Sequence, residues 1–219
     1  MQASLFIIGN NRGIPSPIHL FRRFRMMLSE KPHQAGFTLI ELLTALAIVG
    51  IASAIGMPML SQFVEGAAVS TQTDVMLDSL NFTRTEAVKR NTRVTMCRTT
   101  TGSDCTSTAA AGDWRGGWVI FVDDSTAGNT GVLDAGETVL RAQSAFSGGS
   151  KILSTGNVQD YVSYTSNGQS RFDNTTAHAG SFFFCSGSGK SKRRTITLTA
   201  GTGWIGTKVL DISPNCTSA

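Results

Sequence analysis

Histidine is nearly missing from this chain. Of three histidines in 219 residues, His19 and His33 precede Phe37, so His178 alone serves the rest of the chain. A mixed cysteine–histidine zinc site or a Ser-His-Asp nucleophile would have to be built on that one residue. It stands in the turn-like string Asn174-Thr175-Thr176-Ala177-His178-Ala179-Gly180 and reads as a surface loop histidine. No C-x-x-C occurs, which argues further against metal, and no pair of carboxylates stands out for hydrolysis. Gly102, Gly112 and Gly187-Ser188-Gly189-Lys190 lack the spacing and the following helix of a phosphate loop. The turn Asp123-Asp124-Ser125-Thr126-Ala127-Gly128-Asn129 has Ala127 at the fifth place and Asp134 at the twelfth, where a calcium loop wants a bidentate Glu, so it reads as a solvated Asx turn. No cofactor and no metal is expected.

Charge is also scarce, at 16% of residues, and its sign is unevenly placed. The formal net charge is +4. Arg12, Arg22, Arg23, Arg25 and Lys31 against Glu30 place that whole excess before Phe37, and acids and bases balance in the later chain. The pI near 9.1 therefore says nothing about a nucleic-acid or lipid partner of the later chain.

What the chain does have is an apolar run from Phe37 to Leu60, broken only by Glu41 and small or hydroxylated residues. As a helix it extends about 36 Å, enough for a hydrocarbon layer of about 30 Å. A freely soluble cytoplasmic enzyme is excluded on this reading. Residues 61–219 have the size of one domain with its own core.

Lys31 to Leu43 reads KPHQAGFTLIELL. This string resembles the signal of type IV pilins and type II secretion pseudopilins: a hydrophilic leader ending in Gly, then Phe, then an apolar helix with Glu at its fifth residue. The resemblance implies cleavage between Gly36 and Phe37 by a prepilin peptidase, methylation of the new Phe37 amine, and retention of the apolar segment as an inner-membrane anchor. A carboxylate in hydrocarbon costs about 2.5–3.5 kcal/mol on insertion scales and normally has a partner. For Glu41 the family implies the Phe37 amine of a neighbouring subunit; the alternative is that Glu41 lies among headgroups and neutralises its own chain's amine. Pro58 falls late in the run, where it removes a backbone hydrogen bond. A leader running from Met1 to Gly36 is long for the family, and initiation at Met26 or Met27 would bring it close to the family pattern. Residues 1–25 are therefore read as a start-site misassignment, the alternative being a long cytoplasmic extension.

Beyond Leu60 the helical period continues but becomes amphipathic. Val69, Met76 or Leu77, Leu80, Thr83 and Ala87 recur at three- and four-residue spacing with charged residues between them. One helix from about Phe37 to Asn91 is expected, with Pro58 and Gly66 as its weak points. The period then changes. Residues 93–97, 117–123, 138–143, 158–166, 181–186, 194–199 and 204–210 are short β-favouring runs separated by turn residues. Thr195-Ile196-Thr197-Leu198-Thr199 alternates, which predicts one buried face, and Ala200-Gly201-Thr202-Gly203 supplies a hairpin. The fold class is α+β: a long membrane and amphipathic helix followed by a mostly antiparallel, sandwich-like β-domain. The divisions are 1–36 leader, 37–60 membrane or filament-core helix, 61–91 amphipathic continuation and 92–219 periplasmic β-domain.

The stretch Cys97 to Cys105, then DWRGGWVIFVD over residues 113–123 and DAGETVLR over residues 134–141, resembles the GspH/FimT-type minor pilins. That resemblance implies a pilin-like fold and a subunit of a type IV pilus or type II secretion system, acting in filament priming or tip assembly with other minor pilins, pseudopilins and a major pilin. In an oxidising periplasm the four cysteines should be paired. Of three pairings, Cys97 with Cys105 and Cys185 with Cys216 is preferred, because the first closes a loop beside a strand and the second staples the tail to a strand. Lys190, Lys192, Arg193 and Arg194 form a cationic loop between two strands, and some FimT-type relatives bind DNA, so a DNA-binding pilin for natural transformation is the alternative function. Gly203-Trp204-Ile205-Gly206 stands where those relatives carry Gly-Arg-x-Arg. A membrane-anchored periplasmic enzyme is the third reading.

Overall fold

The structure, a computed structural model, describes residues 36–105, 110–124, 130–212 and 216. The leader up to residue 35, with the alternative starts at Met26 and Met27, and residues 125–129 of the acidic turn lie outside the described residues. The chain divides into two compact units, residues 1–49 and residues 50–219.

A single helix, α1 (Leu39–Arg90), begins in the first unit and continues in the second. Thr38 caps its start: the hydroxyl accepts the Glu41 N–H at 3.3 Å and the carbonyl accepts the Leu42 N–H at 3.2 Å. Asn91 closes its end with a left-handed φ of 54°. There the Asn91 N–H reaches the Val88 carbonyl (3.3 Å) and the Thr92 N–H reaches the Ala87 carbonyl (3.2 Å), the Schellman arrangement. Neither Pro58 nor Gly66 interrupts the helix; Ser61 donates its hydroxyl to the Pro58 carbonyl at 3.0 Å.

All described residues of the first unit are exposed, as apolar side chains awaiting lipid or protein would be. In the second unit α1 buries Val69, Gln72, Thr73, Met76, Ser79, Leu80, Thr83, Glu86 and Ala87, one stripe at three- and four-residue spacing. The stripe packs on two antiparallel four-stranded sheets. Sheet A has the order β3-β2-β1-β5, formed by β1 (Val94–Arg98), β2 (Gly117–Val122), β3 (Val139–Ser144) and β5 (Tyr161–Tyr164). Sheet B has the order β4-β6-β7-β8, formed by β4 (Lys151–Gly156), β6 (Gly180–Cys185), β7 (Lys192–Leu198) and β8 (Ile205–Ile212).

Alternation sorts the side chains between faces. Val94, Met96, Trp118, Ile120, Phe182, Phe184, Ile196 and Leu198 share one core with α1. Their strand neighbours form two outer clusters. Cys97, Val119 and Phe121 lie with Cys105, Leu133 and Tyr161, and Phe183 and Cys185 lie with Cys216, Leu153 and Leu210. Trp114 enters the main core from the loop before β2, edge-on to Phe182 with ring centroids 5.3 Å apart. Its indole N–H donates to the Ser154 hydroxyl at 3.2 Å. Gly116 and Gly117 let this loop pass close to its neighbours. A Cβ on Gly117, where φ is 101°, would lie 2.1 Å from the Gln143 carbonyl oxygen, and one on Gly116 would lie 2.4 Å from that of Thr99.

Four expectations need correction. β4 was not foreseen, because Lys-Ile-Leu-Ser-Thr-Gly follows a Ser-Gly-Gly-Ser turn and is too short to show a period. The run 158–166 shrinks to β5, Tyr161–Tyr164. The run expected from Arg194 begins earlier, so that Lys192 and Arg193 belong to β7 and not to a loop. Asp123 is buried rather than solvated: its carboxylate accepts the Thr95 hydroxyl at 2.6 Å and the Gly131 N–H at 3.0 Å.

Candidate functional site

The amino-terminal segment presents its chemistry openly. Gly36, Phe37 and Thr38 have no regular structure, no described residue lies within 4 Å of where a Gly36 side chain would begin, and Phe37 is 81% exposed. Glu41 is in the first turn of α1, an end of the helix that favours negative charge, and its carboxylate is exposed. Thr38 and Glu41 together have the Thr-x-x-Glu spacing of a capping box, of which the Glu41 N–H to Thr38 hydroxyl bond is formed. Leu39, Ile40, Leu42, Leu43, Leu46 and Ile48 are exposed around it. By length and composition α1 is able to cross a membrane.

In the head the cysteines are joined as Cys97–Cys105 and Cys185–Cys216. Each bond lies in an outer cluster, on the face of its sheet turned away from α1. The first fixes Cys105, in the loop after β1, against sheet A, and the second fixes Cys216 against sheet B.

The cations 190, 192, 193 and 194 do not act as one exposed loop. Arg193 is buried and donates from Nε to the Asp211 carbonyl at 3.2 Å. Arg194 is half-buried, while Lys190 and Lys192 are exposed. The turn that carries Lys190 lies against α1, where Ser188 donates its hydroxyl to Glu65. Beside it, Gln72 donates from Nε2 to the Ser150 hydroxyl. Val64, Glu65 and Ala68 with residues 147–150 and 186–188 line a groove of about 490 Å3 between α1 and these two turns.

His178 is not a surface residue. It is fully buried, stacked edge-on to Tyr161 and Phe172 at centroid distances of 5.3 and 5.5 Å. Nε2 accepts the Ser163 N–H at 3.1 Å, so Nδ1 carries the proton and donates to the Asn157 carbonyl at 3.1 Å. Both ring nitrogens are thereby occupied, and burial pushes the pKa down to about 4. The imidazole ties the outer edge of β5, at Ser163, to the Asn157 carbonyl and has no free lone pair with which to act as a general base. The turn sequence concealed this, since the partners come from distant backbone.

Other ionisable groups have structural partners. Burial acts to raise the Asp113 carboxyl, but the Arg115 guanidinium at 2.8 Å outweighs it and holds it low. Glu86 is held low by hydrogen bonding to Arg90 at 2.6 Å, and burial pushes the Tyr161 hydroxyl up to about 12. Arg141 pairs with Asp78 at 2.6 Å and lies over the Phe82 ring, fastening β3 to α1. Among the described residues no group of three His, Cys, Asp or Glu is arranged to hold a metal.

Residues 72–202 match the family model described as type II transport protein GspH, and residues 31–57 match that of the prokaryotic N-terminal methylation motif. Two crystal structures of the type IV minor pilin FimU of Pseudomonas aeruginosa (strain PAO1) are similar to this chain. The form in space group P21 is 17% identical with a TM-score of 0.44, covering 68% of this chain and 92% of that one. The form in space group P65 is 17% identical with a TM-score of 0.41, covering 65% and 90%. No curated protein sequence matches.

Proposed function

The chain belongs to the GspH family of type II transport proteins, and from that premise we propose that it is a minor pilin or pseudopilin that primes or tips a filament. In this reading a prepilin peptidase cuts between Gly36 and Phe37, the Phe37 amine is methylated, and residues 37–60 hold the protein in the inner membrane until assembly. Residues 61–91 carry the helix into the head, and residues 92–219 form a β-domain in the periplasm. The observation that carries the reading is the contrast along α1. Its amino-terminal part is apolar and exposed behind a Gly-Phe bond, and its second half is sealed into a disulfide-bonded head. Such a helix keeps an apolar surrounding when it passes from lipid into a bundle of like helices, where packing and polar pairs hold it. Glu41 then pairs with the Phe37 amine of a neighbouring pilin and sets the axial register. The partners are other minor pilins or pseudopilins and the major pilin of a type IV pilus or a type II secretion system.

The test is Glu41→Gln in the full chain. Membrane insertion and cleavage before Phe37 should be retained, while recovery in sheared filament fractions drops at least about tenfold. Unchanged incorporation would remove the assembly role of Glu41, and a mature amino terminus other than Phe37 would remove the processing scheme.

A further inference from the structure

The cation string that filament assembly leaves unused meets a third lysine at one end of sheet B. Lys151 opens β4, Lys192 opens β7, and Lys190 sits in the turn between β6 and β7. All three are exposed, and none makes an ion pair among the described residues. This end of the head is fastened to α1 by the Ser188–Glu65 and Gln72–Ser150 hydrogen bonds. Glu65 lies five residues beyond Leu60, the last residue of the apolar run, which is about 8 Å along a helix axis. Exposed apolar side chains accompany the lysines: Phe63 and Val64 on α1, and Ile212, which pairs with Lys192. Two carboxylates are near. Glu65 is half-buried and accepts from Ser188, and Asp211 is exposed on β8.

We propose that Lys151, Lys190 and Lys192 seat the head on anionic phospholipid headgroups around the point where α1 leaves the bilayer. The proposal rests on the membrane-anchored reading above and adds a lipid partner to it. The later chain carries as many acids as bases, so no long-range attraction brings the head to the surface; a local cluster does. Each lysine near an anionic surface contributes attraction that fades within a Debye length of about 10 Å. The three lysines and the interfacial side chains Phe63 and Ile212 would hold the head on the membrane surface before it is drawn into a filament.

The experiment uses the full chain reconstituted in vesicles of phosphatidylcholine alone, or of phosphatidylcholine and phosphatidylglycerol in a two-to-one mixture. Lysines are acetylated by an impermeant reagent and read by mass spectrometry, with the exposed Lys89 near the far end of α1 as internal control. Phosphatidylglycerol should slow labelling of Lys151, Lys190 and Lys192 at least about fivefold, leave Lys89 unchanged, and lose its effect in concentrated salt. Equal labelling in both vesicles, with the chain resisting carbonate extraction, overturns the lipid seat and leaves the anchored reading standing. Release of the chain by carbonate overturns both. Protection of the same lysines by a short DNA duplex and none by phosphatidylglycerol overturns the lipid assignment in favour of nucleic acid. The variant K151Q/K190Q/K192Q, still disulfide-bonded, should show the same accessibility of residues 186–192 to hydrogen exchange in both vesicles; lipid-dependent protection that survives in it would overturn the role of the lysines.

Discussion

Protonating His178 should destabilise the head at mildly acidic pH. The imidazole is neutral in the fold because Nε2 must accept the Ser163 N–H, and its folded pKa is about 4 against an ordinary value of 6.5. A base whose folded pKa is depressed binds more protons when unfolded, so its contribution is complete above about pH 6.5 and is lost as pH falls toward 4. At 1.36 kcal/mol per pKa unit, about 2.5 kcal/mol disappears between pH 7 and pH 4.5. Arg93 and Asp173 are the charged groups whose fields reach the ring, with opposite effects. The carboxylates held low, Asp113, Glu86 and Asp173, are the same in the parent and in a His178 variant. Glu137, which burial pushes up, acts in the opposite sense and is common to the two proteins compared, so the difference between them belongs to His178. The assay is urea unfolding of the full chain in detergent, followed by fluorescence of the buried Trp114 and Trp118 at half-unit pH steps. His178→Gln should be less stable at pH 7, yet between pH 7 and pH 4.5 the parent should lose about 2.5 kcal/mol more than the variant does. Parallel pH profiles for the two proteins would refute the assignment of a neutral, acceptor imidazole.

Two further perturbations follow from the fold. Opening the Cys185–Cys216 bond, with a separation of 31 residues, should cost about 3.5 kcal/mol, and opening Cys97–Cys105, with a separation of 8, about 2.5 kcal/mol, both read by unfolding of double alanine variants; the reverse order would contradict the entropic account. Ser154→Ala leaves the buried Trp114 N–H without its acceptor and should cost about 1–3 kcal/mol, whereas the same change made in Trp114→Phe should cost clearly less, as a double-mutant cycle would show.

Much of the architecture was legible in local pattern. The period of 3.6 from Val69 to Ala87 marked the face that α1 buries, and the alternation of Ile196 and Leu198 with exposed Thr197 marked a strand with one face in the core. Short runs were harder. β4 hides behind glycines, and the sequence pattern starts the seventh strand only at Arg194, leaving Lys192 and Arg193 in a loop, because charged residues at a strand start look like turn residues. Pairing of Lys192 with Ile212 and of Arg193 with Leu210 is what makes them strand. His178 and Asp123 were misplaced for a related reason. Both stand among turn-forming neighbours, and burial of a polar side chain is decided by whether distant groups can satisfy it.

By itself, then, the sequence determined the processing motif around Gly36 and Phe37, the length of the apolar run, the helical stripe and the β-rich class of the remaining chain. These depend on residues within a few positions of one another, where periodicity and composition suffice. Only the tertiary structure decided that His178 is a neutral clasp on β5 and that Arg193 is buried. It also decided that Lys151 joins Lys190 and Lys192 beside Glu65. Those facts arise from contacts across tens of residues, made when α1 and two sheets close on one core, and no local pattern encodes which distant carbonyl, amide or side chain arrives.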